Sequence, residues 1–150
     1  MIRHLDGVIG HKLVGVRQLA LRPVARARSE RHVVAIELDL EERKICFVVN
    51  SHWDTIEIAT ISPMVDSATR WVNSTEDLPW SKWLHKPLKF GWIWINNRGY
   101  IDGVSLGFDA YNPSISMISI SHSIEEYELS YSFRLRKVHS SDRLRKGSNR

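Results

Sequence analysis

Between Val33 and Leu40 the chain alternates: Val34, Ile36, Leu38 and Leu40 fall on one side of an extended backbone, and Ala35, Glu37 and Asp39 on the other. A repeat of two is what a half-buried strand requires, because successive side chains point to opposite faces. Residues 14–21 form a second short apolar stretch, and the arginine-rich sequence between the two, broken by Pro23, reads as a loop. Glu41-Glu42-Arg43 then makes a tight turn, residues 44–49 continue as a strand apolar on both faces, and Asn50-Ser51-His52 turns the chain into the alternating residues 54–59. The pattern predicts an antiparallel meander.

Residues 74–87, STEDLPWSKWLHKP, break this rhythm. Pro79 suits the first position of a helix, Glu76 and Asp77 its positive end, Lys82 and Lys86 its negative end, and Pro87 stops it. Trp80, Trp83 and Leu84 stand at i, i+3 and i+4, the stripe of a short amphipathic helix that buries against a sheet. Residues 62–74 fit either a short strand or an irregular bridge. Beyond Gly91, strands at 92–96 and 100–108 flank Asn97-Arg98-Gly99, whose glycine takes the positive φ of a type I turn with a bulge. Trp92 and Trp94 share one face and Ile93 and Ile95 the other, which predicts a central strand. Tyr100, Val104, Leu106 and Phe108 oppose the small Gly103, Ser105 and Gly107, leaving room there for a covering element such as the Trp80 helix. Residues 115–120 and 127–138 supply two more strands.

The expected fold is therefore α+β, mostly β: a curved antiparallel sheet or a two-layer sandwich of about seven or eight strands with one short amphipathic helix. Residues 1–139 read as a single compact domain, without repeat or linker, and residues 140–150, apolar only at Leu144, as a flexible basic tail.

Composition adds limits. A chain of 150 residues with 43% hydrophobic content supplies one core without disulfides or a structural metal. Its single cysteine, Cys46, excludes an intrachain disulfide and suits a reducing compartment. The stretch MIRHLDGVIGHKLVGV is interrupted by charges and histidines, unlike a signal peptide, and the apolar runs at 45–49 and 90–95 fall far short of the roughly 20 residues of a membrane helix. A soluble, cytoplasmic protein with no membrane association is expected. The net charge of +4 is unevenly placed: residues 134–150 hold seven Lys or Arg against Asp142 alone, which leaves the body slightly acidic. From Glu37 to Asp77 carboxylates outnumber Lys and Arg.

The seven histidines include no i, i+4 pair and no HExxH, so no metal or other cofactor is expected. Ser51, His52 and Asp54 are triad residue types, but a triad is assembled from separate segments, whereas neighbouring strand residues point to opposite faces. Cys46 has only Lys44 nearby to lower its pKa, and GVIGHKLVG lacks the Gly-Lys-Ser/Thr of a phosphate loop. No catalytic set is legible, and an enzyme is not expected.

Two binding classes remain. Arg143, Arg145 and Lys146 of the tail, with exposed aromatics, would engage nucleic acid by neutralising phosphates and stacking bases. Against this, Trp80, Trp83, Trp92 and Trp94 sit at core-like spacing, which leaves Trp53 and Trp71 as platforms. Those two, with Arg98, Tyr100 and Asp102, are the candidates for a protein contact, since Trp, Tyr and Arg dominate interface hot spots. The acidic stretch would suit a basic, nuclease-type partner, and exposed edge strands would permit a homodimer.

Residues 92–108, WIWINNRGYIDGVSLGF, resemble, at Trp94, Asn96, Gly99, Tyr100 and Asp102, the hairpin of small uncharacterised bacterial proteins, some of them toxin-neutralising immunity proteins. The resemblance implies a compact sheet-based binding protein of a bacterium and transfers no catalytic residue. The expected function is a non-enzymatic, immunity-like protein-interaction domain that binds its partner through a sheet face or this hairpin, with nucleic-acid binding as the alternative.

Overall fold

The computed structural model describes residues 3–22, 31–108, 112–129 and 135–137. A single helical turn, α1 (Arg3–Asp6), precedes β1 (Leu13–Leu21), β2 (Val33–Leu40), β3 (Arg43–Asn50), β4 (Thr55–Ala59) and β5 (Thr69–Asn73). A 3-10 turn at Trp80–Lys82 leads to β6 (Phe90–Ile95), β7 (Ile101–Gly107), β8 (Ile115–Ile120), β9 (Ser123–Leu129) and β10 (Leu135–Lys137). The strands form two antiparallel five-stranded sheets, ordered β4-β3-β2-β1-β5 and β10-β9-β8-β7-β6. Among the described residues no helix is long and apolar enough to cross a membrane.

The alternation read in β2 sets the layering from Ile36 onward; Val34, expected on the same face, packs instead with the outer cluster while Val33 takes the core side, beside a register shift between Leu19 and Ala20. Ile36, Leu38 and Leu40 point inward with Val16, Ile45, Phe47 and Ile56 of neighbouring strands, and meet Val104, Leu106, Ile115, Met117 and Ile124 of the second sheet in one core. Sheet packs on sheet, so the two-layer form is found and the single curved sheet is not. A hydrogen-bonded polar cluster is carried inside. Gln18, paired with Ile36 and therefore on the core face, donates to Glu126 Oε2 of β9 at 2.8 Å, while the buried Trp80 indole donates to Glu126 Oε1. Arg31 donates to Gln18 Oε1 at 3.1 Å.

The amphipathic helix expected at 74–87 is absent. Two prolines confine the segment to too few residues to repay helix nucleation, and it closes instead through short bonds from Lys82 to Pro79, Trp83 to Trp80 and Lys86 to Trp83, with His85 at φ 64. Its apolar stripe still buries: Trp80 is enclosed and Trp83 and Leu84 pack against the core. The stretch read as one strand over 127–138 spans the end of β9, which begins earlier, and β10, and the two pair antiparallel.

β6, expected as a central strand, is an edge strand. It is apolar on both sides because Ile93 faces the core while Trp92 and Trp94 lie over the outer face of β7. A Cβ on Gly107 would stand 3.1 Å from the Trp92 ring and 3.0 Å from the Asn112 carbonyl; one on Gly103 would stand 2.9 Å from the Met117 carbonyl and 3.7 Å from the Trp94 ring. The small residues are thus covered by tryptophans of their own sheet, while Trp80 lies on the core side. Tyr100 does not share the face of Val104: it lies in the turn, and a register shift intervenes between Trp94 and Ile95.

Residues 62–74 hold both readings in succession. β4 and β5 are opposite edges of the first sheet, and its inner face is filled, so residues 60–68 cross the outer face as a strap before β5 begins. Beneath the strap Leu19, Ala35 and Cys46 form a second small cluster with Val48 and Trp71.

Candidate functional site

Two places on the surface hold residue types that bind. The first lies under the strap. Glu37, on the outer face of β2, is 2% exposed. Arg17, directly across on β1, donates to both its oxygens, at 2.7 and 3.0 Å. Lys44 Nζ stands 3.5 Å from Oε1, and Ser62 of the strap donates to Oε2. Burial pushes the Glu37 carboxyl up, but the hydrogen bonds from Arg17 and Ser62 and the charges of Arg17 and Lys44 outweigh it and hold it below the ordinary carboxylate value. Arg17 in turn lies 4.4 Å over the Trp71 ring, a cation–π contact. A cleft of about 270 Å³ opens beside this cluster, lined by Arg17, Asp39, Lys44, Trp71 and Asn73.

Both oxygens of Glu37 are occupied, so the group is an anchor for the strap and has no lone pair placed for proton transfer. Asp66 closes the strap locally, accepting from Ala68 N–H and Thr69 Oγ1 at 2.9 Å each. Pinned at these points, the strap turns apolar side chains outward, with Met64 93% exposed. Sequence reading missed the role of Glu37 and Ser62. The alternation of β2 reads as a half-buried strand with Glu37 on its wet face, so the local pattern held no signal of a covering strap.

The second place lies where turns of the two sheets meet. Trp53, in the turn between β3 and β4, is 57% exposed and stacks on Tyr100, itself 40% exposed, in the turn between β6 and β7; their ring centroids are 5.7 Å apart and their planes 17° from parallel. His52 meets Trp53 edge-on at 4.6 Å. Asn96 holds the second turn. Its side-chain oxygen accepts from the N–H groups of Arg98 at 2.8 Å and Tyr100 at 3.1 Å, its amide donates to Asp102 Oδ1 at 2.9 Å, and Gly99 takes φ 84. Trp53 is fixed from below by Asn50, whose side-chain oxygen accepts from the N–H groups of His52 and Trp53.

Of the residues singled out in the sequence, the structure thus brings Trp53 and Tyr100 together and leaves Arg98 exposed in the same turn as Tyr100. Asp102 serves as the hydrogen-bond partner of Asn96 and supports the turn from within. Trp71 is elsewhere: it lies on β5, at the far edge of the first sheet, several strand spacings of about 4.8 Å away. Arg143, Arg145 and Lys146 lie outside the described residues.

Asp54, the carboxylate beside His52, is committed to another task. It accepts from Ser119 Oγ at 2.8 Å, Ser121 N–H at 3.1 Å and His122 N–H at 2.9 Å, tying the turn between β8 and β9 to the first sheet. Burial pushes its carboxyl up, and these hydrogen bonds outweigh that and leave it below its ordinary value. None of these donors is His52. Among the described residues no three His, Cys, Asp or Glu side chains are grouped to hold a metal ion. The acidic stretch from Glu37 to Asp77 is dispersed in the fold: Glu41 faces His11, Glu57 accepts from Asn50, and Asp77 faces Arg31.

The chain belongs to the family described as "Family of unknown function (DUF6334)", whose model matches residues 1–130. No curated protein and no solved structure matches it.

Proposed function

We propose that this family member is a non-enzymatic protein-interaction domain that engages a partner protein through Trp53, Tyr100 and Arg98. The observation that carries the reading is the stack of two exposed aromatic rings from different sheets, held in place by hydrogen bonds at both turns. Rings that are fixed before binding lose little conformational freedom on contact, and Trp, Tyr and Arg are the residue types on which interface energy concentrates. An immunity-like role, in which the bound partner is a toxin, is the finer form of the reading and follows from the resemblance of the hairpin.

The test is capture from nuclease-treated host extract with the wild-type chain, the 1–139 truncation and the double variant Trp53→Ala with Tyr100→Ala as baits. The reading expects one stoichiometric protein on the first two baits and its loss from the third. Nucleic acid captured only by the full-length chain would replace this reading with one based on the tail.

A further inference from the structure

Four strands end the two sheets, and three of them carry charge. β4 has Glu57, β5 has Arg70, and β10 has Arg136 and Lys137 within three residues. Charge on an edge strand discourages another chain from pairing there. β6 reads FGWIWI: six residues with no charge and no proline and, among the described residues, the longest of the four edges.

The open part of this edge has defined limits. Just before it, the chain is already paired on that side with the segment leading into β1. Leu13 N–H donates to the Lys86 carbonyl at 3.0 Å, Gly10 N–H to the Leu88 carbonyl at 2.7 Å, and Leu88 N–H to the His11 carbonyl at 2.9 Å. After it, Asn96 begins the turn. Between these limits residues 91–95 pair with β7 alone among the described residues. Alternate residues of an antiparallel strand direct their N–H and C=O groups to opposite sides, so half of this stretch presents its backbone away from β7. The apolar side chains are open as well: Ile95 is 59% exposed and Trp94 is 41% exposed.

We infer that β6 pairs antiparallel with β6 of a second copy of this chain, joining two five-stranded sheets into one of ten strands. The self-complementarity of the sequence identifies the occupant. A two-fold axis at Ile93 sets Trp92 opposite Trp94 of the partner subunit, and Trp94 opposite Trp92 of the partner subunit. Directly opposed residues share a face, so both aromatic pairs lie together on the outer surface. On the core side Ile93 meets Ile93 of the partner subunit, and Gly91 receives Ile95 of the partner subunit. Leu5 already fills the side-chain space at Gly91 there, 2.7 Å from where a Cβ would stand, and keeps that position apolar. A foreign strand would find no charge on β6 to select it. This inference stands apart from the Trp53–Tyr100 surface and does not depend on it.

The test combines sedimentation equilibrium with amide hydrogen exchange. The wild-type chain is expected to sediment at twice the chain mass, with alternate amides of residues 91–95 protected in proportion to the dimer fraction as concentration is raised. The double variant Trp94→Lys with Ile95→Lys, which sets like charges across the two-fold axis, is expected to weaken dimerisation more than tenfold. A wild-type chain that stays monomeric up to its solubility limit overturns the inference. So does a dimer whose 91–95 amides exchange at the same rate at all concentrations. Exchange is read on the wild-type chain, so these outcomes decide the matter even where the double variant folds poorly.

Discussion

Trp53 stacks on Tyr100 across the boundary between the two sheets, with ring centroids 5.7 Å apart. Both rings stay open to solvent although each turn beneath them is closed by an asparagine side chain. Because the pair is exposed, its contribution to folding is small. Trp53→Ala is expected to lower the unfolding free energy by about 1 kcal/mol, the scale of one aromatic pair. Urea denaturation reads this, and a loss of the size seen on truncating a buried tryptophan, about 3–5 kcal/mol, would assign the stack a structural role.

Glu37 and Arg17 respond asymmetrically to substitution. Arg17→Met removes two hydrogen bonds from a carboxylate that is almost fully buried and leaves Lys44 and Ser62 to hold it. A cost of about 2–4 kcal/mol is expected. Glu37→Gln leaves Arg17 and Lys44, both about half exposed, free to reach water, and a smaller cost of about 1–2 kcal/mol is expected. Denaturation midpoints of the two variants measure the order; a reversed order would show that the strap and not the ion pair sets the energy.

Acid should destabilise the fold through the same groups. The carboxyls of Glu37 and Asp54 lie below their ordinary values of 4.5 and 3.8 in the folded chain. The unfolded chain therefore binds protons more readily, and stability falls as pH falls. The contribution is present in full above about pH 5 and is lost as pH drops through the ordinary values and on through the lower folded ones. Unfolding free energies measured down through this range should show a shallower decline for Glu37→Gln than for the wild-type chain. Equal declines would leave Glu37 with no part in the acid response.

Cys46 should be silent in the native state. It lies in the small cluster under the strap, and burial first, with the Glu37 charge second, pushes its thiol up to about 12. A thiol-reactive chromophore at mildly alkaline pH is expected to label the chain only as fast as it unfolds. Rapid labelling without denaturant would show that the strap opens on its own.

The parts of this structure that were legible in the sequence are those governed by local chemistry. The alternation of Ile36, Leu38 and Leu40 gave β2 its inward face, failing only at Val34 beside a register shift, and Gly99 marked the positive φ of the hairpin turn. What stayed hidden depends on neighbours. Residues 90–95 are apolar on both faces whether a sheet lies on each side or whether tryptophans cover the glycines of the next strand, and the pattern alone does not separate these cases. The spacing of Trp80, Trp83 and Leu84 recorded burial correctly, but helical spacing over so short a segment is equally served by a 3-10 turn. The site divides the same way. Arg98, Tyr100 and Trp53 were chosen by residue type, whereas the meeting of Trp53 with Tyr100, and the separation of Trp71 from both, follow from strand order.

Interaction through the stacked pair is tested most sharply by the affinity of the captured partner for three purified chains: wild type, Trp53→Ala with Tyr100→Ala, and Trp71→Ala. A loss of tenfold or more is expected for the double variant, with its fold intact, and wild-type affinity for Trp71→Ala. Unchanged binding by a folded double variant would contradict a contact through Trp53 and Tyr100 and move the binding surface elsewhere on the sandwich.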